Sequence, residues 1–102
     1  MEYTFTEGRL FLRRTPGEKE PLLQRLRRIE GQVRGLQQMI EDDRHCLDEV
    51  QLANAATAAL HEVARLVMAD HLRAGVEFAV AAHDGEAVLR DLQTVLRAAL
   101  RQ

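Results

Sequence analysis

The residues best suited to chemistry in this chain are its single cysteine, Cys46, and His71. A thiolate and an imidazole together form a ligand pair for a soft or borderline metal ion. If one straight helix carries both residues, the 25-residue gap spans about 37 Å, so the pair cannot share a metal within one chain. In two antiparallel copies of that helix, Cys46 of one chain would lie beside His71 of the other. The spacing is therefore consistent with a two-fold dimer carrying two intersubunit sites.

The midpoint of such a helix pair falls near residues 58 and 59, in an alanine-rich run from Ala53 to Ala59 where two helices can approach closely. Met68, one turn before His71, is a further candidate ligand because a thioether suits Cu(I). The residues alone leave a simpler interpretation open. In it, Cys46 is a small apolar packing residue, His71 lies at the surface and Met68 fills the core.

Length and composition favour a small helical protein that oligomerises. The chain has 102 residues, which is one domain at most, and Ala, Leu, Val, Arg and Glu dominate it. Three helices of this size bury little apolar surface alone, so we expect a homo-oligomer. The sequence shows no signal peptide and no apolar run long enough to cross a membrane. These features predict a cytoplasmic protein that contacts no membrane and keeps its cysteine reduced.

The stretch from Pro21 to Cys46 has the strictest hydrophobic repeat. Its apolar residues follow spacings of 4, 3, 4, 3 and 4, which predicts a helix with a heptad seam: Leu22, Leu26, Ile29, Val33, Leu36 and Ile40. Pro21 suits the first turn of this helix, which should end near Asp42 and Asp43. Residues 1–17 break the pattern and are predicted to form a tail, a disordered arm with at most a short extended piece. Residues 18–102 are predicted to form one helical domain.

The polar side of this first helix is basic and is a candidate DNA-binding surface. Residues 1–35 carry eight Arg or Lys against five acids, whereas residues 36–102 carry six against eleven. A basic N-terminal segment followed by an acidic remainder suggests a surface that binds a polyanion. A solvent-exposed helix face explains the same charges. Gly31 and Gly35 lie among the arginines, where the close approach of a phosphodiester or a neighbouring subunit would explain them. The candidate phosphate-binding residues are Arg25, Arg27, Arg28 and Arg34 in the helix, with Arg13 and Arg14 in the tail.

Two further helices complete an all-α fold. The second should begin around residues 44–47 and run to Ala74, with Gly75 as a candidate stop. The third should run from about Glu86 to Leu100 with Asp84 as its cap, because Leu and Val recur there with a 3.6-residue period. The sequence contains no helix-turn-helix signature and no acid–base pair with the spacing of an enzyme site.

Two segments, LLQRLRRIEGQVRGLQQMIEDDRHC ending at Cys46 and ADHLRAGV around His71, resemble a known family. It is the family of small helical bacterial repressors that includes the copper sensor CsoR, the nickel/cobalt sensor RcnR and the formaldehyde sensor FrmR. The resemblance implies a three-helix protomer and an antiparallel dimer with a four-helix bundle core. It further implies a disc-like tetramer, a dimer of dimers, that binds operator DNA. An inducer at an intersubunit Cys–His site would release the DNA.

The resemblance assigns ligand roles to Cys46 and to His71 of the partner chain. It places Asp91 near an acidic residue that supports the ligands, and it makes His45, next to Cys46, a candidate supporting residue or ligand. The copper sensors have a third ligand, a cysteine four residues after the histidine, where this chain has Gly75. The usual site with two thiolates and one imidazole therefore cannot form. Formaldehyde sensors also keep one cysteine but use an amine at the mature N-terminus, which the extension here displaces.

The resemblance also bears on DNA binding. Arg25 lies where the family has an important arginine of the first helix. On the second helix, Thr57 and Glu62 lie where family members often have basic residues. We therefore expect more of the DNA contacts to come from the first helix.

We therefore predict a non-enzymatic, DNA-binding transcriptional repressor. An inducer at the Cys46–His71 site, a metal such as Cu(I), releases it from its operator. Two alternatives stay open. One is a metal-independent sensor of aldehydes or other electrophiles that uses Cys46 as its nucleophile. The other is an oligomeric scaffold that has lost sensing.

Overall fold

The computed structural model describes residues 1–101 as three helices preceded by a hairpin. Strands β1 (Glu2–Thr6) and β2 (Arg9–Arg13) lead into helices α1 (Pro16–Glu41), α2 (Cys46–Ala82) and α3 (Gly85–Leu100). Helix α2 is the spine of the protomer, because both α1 and α3 pack against it. The three-helix prediction is confirmed. The all-α class needs correction, because the fold is mostly helical with a small two-stranded antiparallel sheet.

The hairpin pairs Tyr3 with Leu12 and Phe5 with Leu10, and a two-residue turn joins its strands. Glu7 and Gly8 form this turn with φ of 51° and 75°, the left-handed conformation that a type I′ hairpin turn requires. The four apolar side chains share one face of the hairpin, which packs against α2 and α3. The prediction of a disordered arm is therefore wrong for residues 2–13, and the extended piece is larger than expected. The proposed division between residues 17 and 18 stays a prediction.

Helix α1 begins at Pro16, earlier than the predicted start at Pro21, because a capping box forms at Thr15. The Thr15 hydroxyl accepts from the main-chain N–H of Glu18, and the Glu18 carboxylate accepts from the N–H of Thr15. The second of these hydrogen bonds lowers the pKa of Glu18 from its ordinary value. The helix ends as predicted, with Asp42 as its C-cap and Asp43 in the left-handed region at φ 53°.

Helix α2 continues for 37 residues and passes through Gly75 without a break. The prediction of an end at Ala74 is wrong, because Gly75 is buried against Leu92 of α3 and serves helix packing. His83, at φ 51°, ends α2 in the left-handed conformation. Helix α3 starts one residue before the predicted position, and Asp84 caps it as expected by accepting from Ala87 N–H.

The buried core of one protomer is small. Leu10 of the hairpin, Ala74 of α2 and Val88 of α3 form its main cluster and are at most 5% exposed. Large apolar side chains on all three helices remain exposed, among them Ile40, Val50, Val80 and Leu96, each at least 45% exposed. In residues 1–101, no helix is long and apolar enough to cross a membrane.

Candidate metal centre

His71 lies on α2 where that helix faces α3, and it is only 8% exposed. Its Nε2 is 2.9 Å from Oδ2 of Asp91, itself 9% exposed, on α3. The same carboxylate oxygen accepts the main-chain N–H of Leu10 at 3.0 Å. With Nε2–H donating to the carboxylate, the lone pair of the neutral ring lies on Nδ1. Metal-binding histidines use this arrangement, in which a carboxylate fixes the tautomer and orients the ring.

Cys46 is the first residue of α2 and has an exposed free thiol. His45 precedes it as the N-cap, and its Nδ1 accepts the main-chain N–H of Leu47 at 3.0 Å. Helix capping therefore uses one ring nitrogen of His45, and only Nε2 remains for a ligand or a supporting hydrogen bond. A role for His45 beyond the cap stays a prediction.

The structure does not bring Cys46 and His71 together within one protomer. Both lie on the continuous helix α2, and the 25 residues between them correspond to about 37 Å. Within residues 1–101, no group of three or more His, Cys, Asp or Glu side chains could hold a metal ion. A site that uses both residues therefore needs a second chain.

The position to which the resemblance assigns a third ligand, Gly75, has no free space beside it in this chain. A Cβ atom on Gly75 would lie 2.6 Å from Cδ2 of Leu92 and 3.0 Å from its Cδ1. Leu92 thus fills the space that a side chain at position 75 would need. Met68, the other candidate, is half-buried in an apolar groove between α2 and α3 beside Leu96 and Leu100. This environment also suits a packing residue, so ligation by Met68 stays a prediction.

The basic residues of α1 are exposed. Arg25, Arg28 and Arg34 face solvent, and Arg27 pairs with Glu20 at 2.9 Å. Both partners of that pair are at least half exposed, and such a pair contributes only about 0–1 kcal/mol. A phosphate could therefore replace Glu20 as the partner of Arg27.

The two arginines at the end of the hairpin have other contacts. Arg13 lies 3.5 Å from the hydroxyl of Thr4, and Arg14 pairs with Asp70 at 3.0 Å in a partly buried site. The ion pair therefore connects the end of β2 to Asp70, the residue before His71. Arg14 could bind a phosphate only if this ion pair opened. On α2, Thr57 bonds to the carbonyl of Ala53, and Glu62 pairs with Arg65.

The chain belongs to the family of metal-sensitive transcriptional repressors, whose model matches residues 18–98. It is 41% identical over 80 residues to the copper-sensing transcriptional repressor CsoR of Bacillus subtilis, covering 78% of this chain and 79% of that protein. It is 45% identical over 64 residues to the copper-sensing transcriptional repressor RicR of Mycobacterium tuberculosis, covering 63% and 67%.

Solved structures with this fold include a copper sensor and a nickel-responsive regulator. The Cu(I) complex of the copper-sensing repressor CsoR from Geobacillus thermodenitrificans superposes with a TM-score of 0.77 at 40% identity, covering 86% of this chain and 92% of that one. The nickel-responsive transcriptional regulator InrS gives a TM-score of 0.77 at 31% identity, covering 88% and 98%. The predicted family is thereby confirmed. Its members are repressors, in agreement with the prediction that this chain is not an enzyme.

Sequence reasoning missed the contribution of the hairpin to the surroundings of His71. The group involved is the main-chain N–H of Leu10, and the types of residue in a sequence do not reveal which main-chain groups make such contacts. The hairpin itself had a recognisable pattern, since Tyr3 and Phe5 alternate with polar residues before Glu7–Gly8.

Proposed function

We propose that this repressor binds operator DNA through the basic face of α1 and is released when Cu(I) binds between Cys46 of one chain and His71 of another. The buried triad of Leu10, Asp91 and His71 carries this proposal, because it orients the imidazole of His71 through Nε2 and leaves Nδ1 as the nitrogen for a metal. Asp91 acts as the supporting carboxylate. Bound Cu(I) would supply a bridge that ties the two chains together.

Assembly into an antiparallel dimer makes this site possible. Two α2 helices that cross near residues 58 and 59 would bring the first turn of each beside His71 of the other, and small residues line the crossing point. The exposed apolar side chains supply surface for that contact and for a dimer of dimers. Within residues 1–101, the buried Oε1 of Gln32 has no hydrogen-bond partner in the protomer, which a subunit contact would supply.

The donor set favours Cu(I). Cys46 supplies a soft thiolate and His71 an imidazole, and Cu(I) accepts a low coordination number with such ligands. The copper-sensing relatives support the same assignment. Ni(II) is the competing metal because InrS shares the fold. However, Ni(II) favours a square-planar set, and the proposed site offers at most His45 as a further nitrogen.

DNA binding is proposed for Arg25, Arg27, Arg28 and Arg34, with Arg13 and Arg14 as secondary contacts. Phosphate contacts would position the protein, and DNA shape would contribute to recognition. Release follows only if Cu(I) binds the free repressor more tightly than the DNA-bound form, since the coupling between two ligands is reciprocal.

The experiment that tests this proposal is a titration of a repressor–operator complex with Cu(I) and, separately, with Ni(II) without oxygen. DNA upstream of the protein's own gene serves as the operator, and thiolate-to-metal charge transfer is recorded in parallel. We expect release by Cu(I) at one equivalent per chain, with little effect of Ni(II). Release by Ni(II) alone would overturn the assignment of the metal, and no DNA binding at low salt would favour a scaffold.

The exposed thiol of Cys46 also supports a second candidate, a sensor that forms an aldehyde or electrophile adduct without a metal. Mass spectrometry after aldehyde treatment separates the two functions. An adduct on Cys46 together with DNA release would favour the second candidate, whereas an unmodified thiol would eliminate it.

Replacement of Gly31 by Ala is expected to stabilise the free protein and weaken its binding to DNA. A Cβ atom at this position meets nothing within 4 Å in the protomer, so the change should add about 1 kcal/mol through helix propensity. If a phosphodiester approaches Gly31, the methyl group should lower operator affinity about tenfold, which corresponds to about 1.4 kcal/mol. Urea unfolding and operator anisotropy measure the two effects.

Gly17→Ala is the control for this prediction, because Gly17 also lies on α1 and its nearest neighbour to an added Cβ is 3.9 Å away. The Gly17→Ala protein should gain less stability, because Gly17 lies in the first turn of α1, and it should bind the operator as the wild type does. Unchanged operator affinity in Gly31→Ala would remove Gly31 from the proposed DNA-binding face.

A further inference from the structure

The hairpin contacts the candidate metal centre through one main-chain group. Leu10 N–H donates to Oδ2 of Asp91 at 3.0 Å, and this oxygen is also the partner of His71 Nε2 at 2.9 Å. All three residues are at least 91% buried. The hairpin precedes the segment that matches the family model, so this contact lies outside the matched part of the chain.

The register of the hairpin explains why Leu10 makes this bond. Thr6 and Arg9 flank the two-residue turn and form its first hydrogen-bonded pair. Phe5 and Leu10 form the next pair, whose N–H groups point away from the partner strand. The N–H of Leu10 is therefore free of the strand ladder and available to Asp91.

Two further contacts hold the hairpin on the helices. Phe5 and Tyr3 pack against Phe78 of α2, with ring centroids 4.9 and 6.2 Å apart. At the other end of the hairpin, Arg14 pairs with Asp70, the residue before His71. The hairpin thus contacts α2 on both sides of His71 along the chain.

We propose that the docked hairpin positions His71 for its ligand, so that hairpin docking and inducer binding stabilise each other. The Leu10 N–H fixes the Asp91 carboxylate, and the carboxylate fixes the orientation and tautomer of His71. A ligand on Nδ1 withdraws electron density from the ring and strengthens the Nε2–H bond to Asp91. By reciprocity, the inducer must then favour the docked hairpin to the same degree that the hairpin favours the inducer. This inference rests on the proposed role of His71 as a ligand.

Leu10→Pro tests this effect, because proline removes the N–H that reaches Asp91 and no ladder hydrogen bond, and it also removes the buried leucine side chain. Leu12→Pro is the control for a proline in this strand. Leu12 lies two residues along the same strand, and its N–H also points away from β1, but Asp91 bonds to Leu10. Tyr3 is the only tyrosine and the chain has no tryptophan, so intrinsic fluorescence reports on the contact of Tyr3 with Phe78 in both variants.

The measurement is the affinity of the full-length protein for Cu(I), in competition with a chromogenic Cu(I) chelator without oxygen. We expect Leu10→Pro to bind Cu(I) about 10–100-fold more weakly than the wild type, the usual effect of losing a supporting partner of a metal ligand. Leu12→Pro should lie within about twofold of the wild type, because it retains the bond to Asp91. Leu10→Ala loses the same buried side chain but keeps the N–H, so it should bind Cu(I) more tightly than Leu10→Pro does. Equal affinities of Leu10→Pro and the wild type would overturn the proposal.

A second measurement needs no hairpin variant. In the wild type, Cu(I) should slow hydrogen exchange of the Leu10 amide, and Cys46→Ala should show no such effect. Unchanged exchange in a wild-type protein that binds Cu(I) would overturn the inference and leave the proposed function standing. A wild type that binds no Cu(I) would instead overturn the proposed function, and the inference with it.

Discussion

Cys46→Ala is expected to bind operator DNA as the wild type does and to ignore Cu(I). Cys46 is exposed at the start of α2, so the change removes little packing within the protomer. It removes the only thiolate of the proposed site and leaves one imidazole. Cu(I) affinity should therefore fall by more than the roughly 10–100-fold that loss of an outer partner costs.

Operator anisotropy during a Cu(I) titration measures this prediction. His61→Ala is the control, because His61 is an exposed histidine of α2 outside the proposed site and should leave release unchanged. If Cys46→Ala were released as readily as the wild type, the inducer would act at another position.

Gly75→Cys is expected to destabilise the protein and to fail to create a third thiolate ligand. The new Cβ would lie 2.6 Å from Cδ2 of Leu92, closer than real contacts allow. Overpacking of this kind costs about 1–3 kcal/mol, and the side chains must shift to relieve it. A cysteine at position 75 therefore requires the side chain of Leu92 to move aside.

The companion variant is Gly75→Cys combined with Leu92→Ala, which removes the three leucine atoms nearest to the new Cβ. Its loss of stability should be smaller than the sum of the two single losses, because the two sites share the same space. Urea unfolding at fixed protein concentration gives these free energies, and Cu(I) charge-transfer intensity reports the number of thiolates. A stable Gly75→Cys protein with doubled charge transfer would contradict the account of Leu92.

The sequence predicted those elements whose periodicity and caps are local. The heptad seam predicted α1, and the apolar stripe with Asp84 predicted α3. Each of these patterns lies within the helix that it predicts. The predicted end of α2 at Ala74 was wrong. That prediction rested on Gly75, because glycine often ends a helix. At Gly75, packing against Leu92 of another helix decides the structure, and residue type alone cannot reveal that contact.

The hairpin and the start of α1 were missed for a different reason. Glu7 is an unusual residue at φ 51°, so the Glu7–Gly8 turn was not recognised despite the flanking alternation. The sequence also contains the capping box at Thr15 as Thr-x-x-Glu, a signal that lies before the predicted start at Pro21.

The candidate site was only partly predictable. Cys46, His71 and Asp91 could be named from residue type and resemblance, and the structure places Asp91 against His71. Two contacts could not be foreseen, because they join residues far apart in the chain. They are the N–H of Leu10 with Asp91 and the ion pair of Arg14 with Asp70.

Each inducer site is proposed to take Cys46 from one chain and His71 from another. Mixing Cys46→Ala with His71→Gln tests it directly, because a mixed dimer would hold one intact site and one site lacking both ligands. The glutamine amide can still donate to Asp91, which protects the fold. After subunit exchange at equal concentrations, half of the dimers should be mixed, so about a quarter of the wild-type Cu(I) capacity should return. If the mixture bound no more Cu(I) than the separate variants, the intersubunit site would be contradicted.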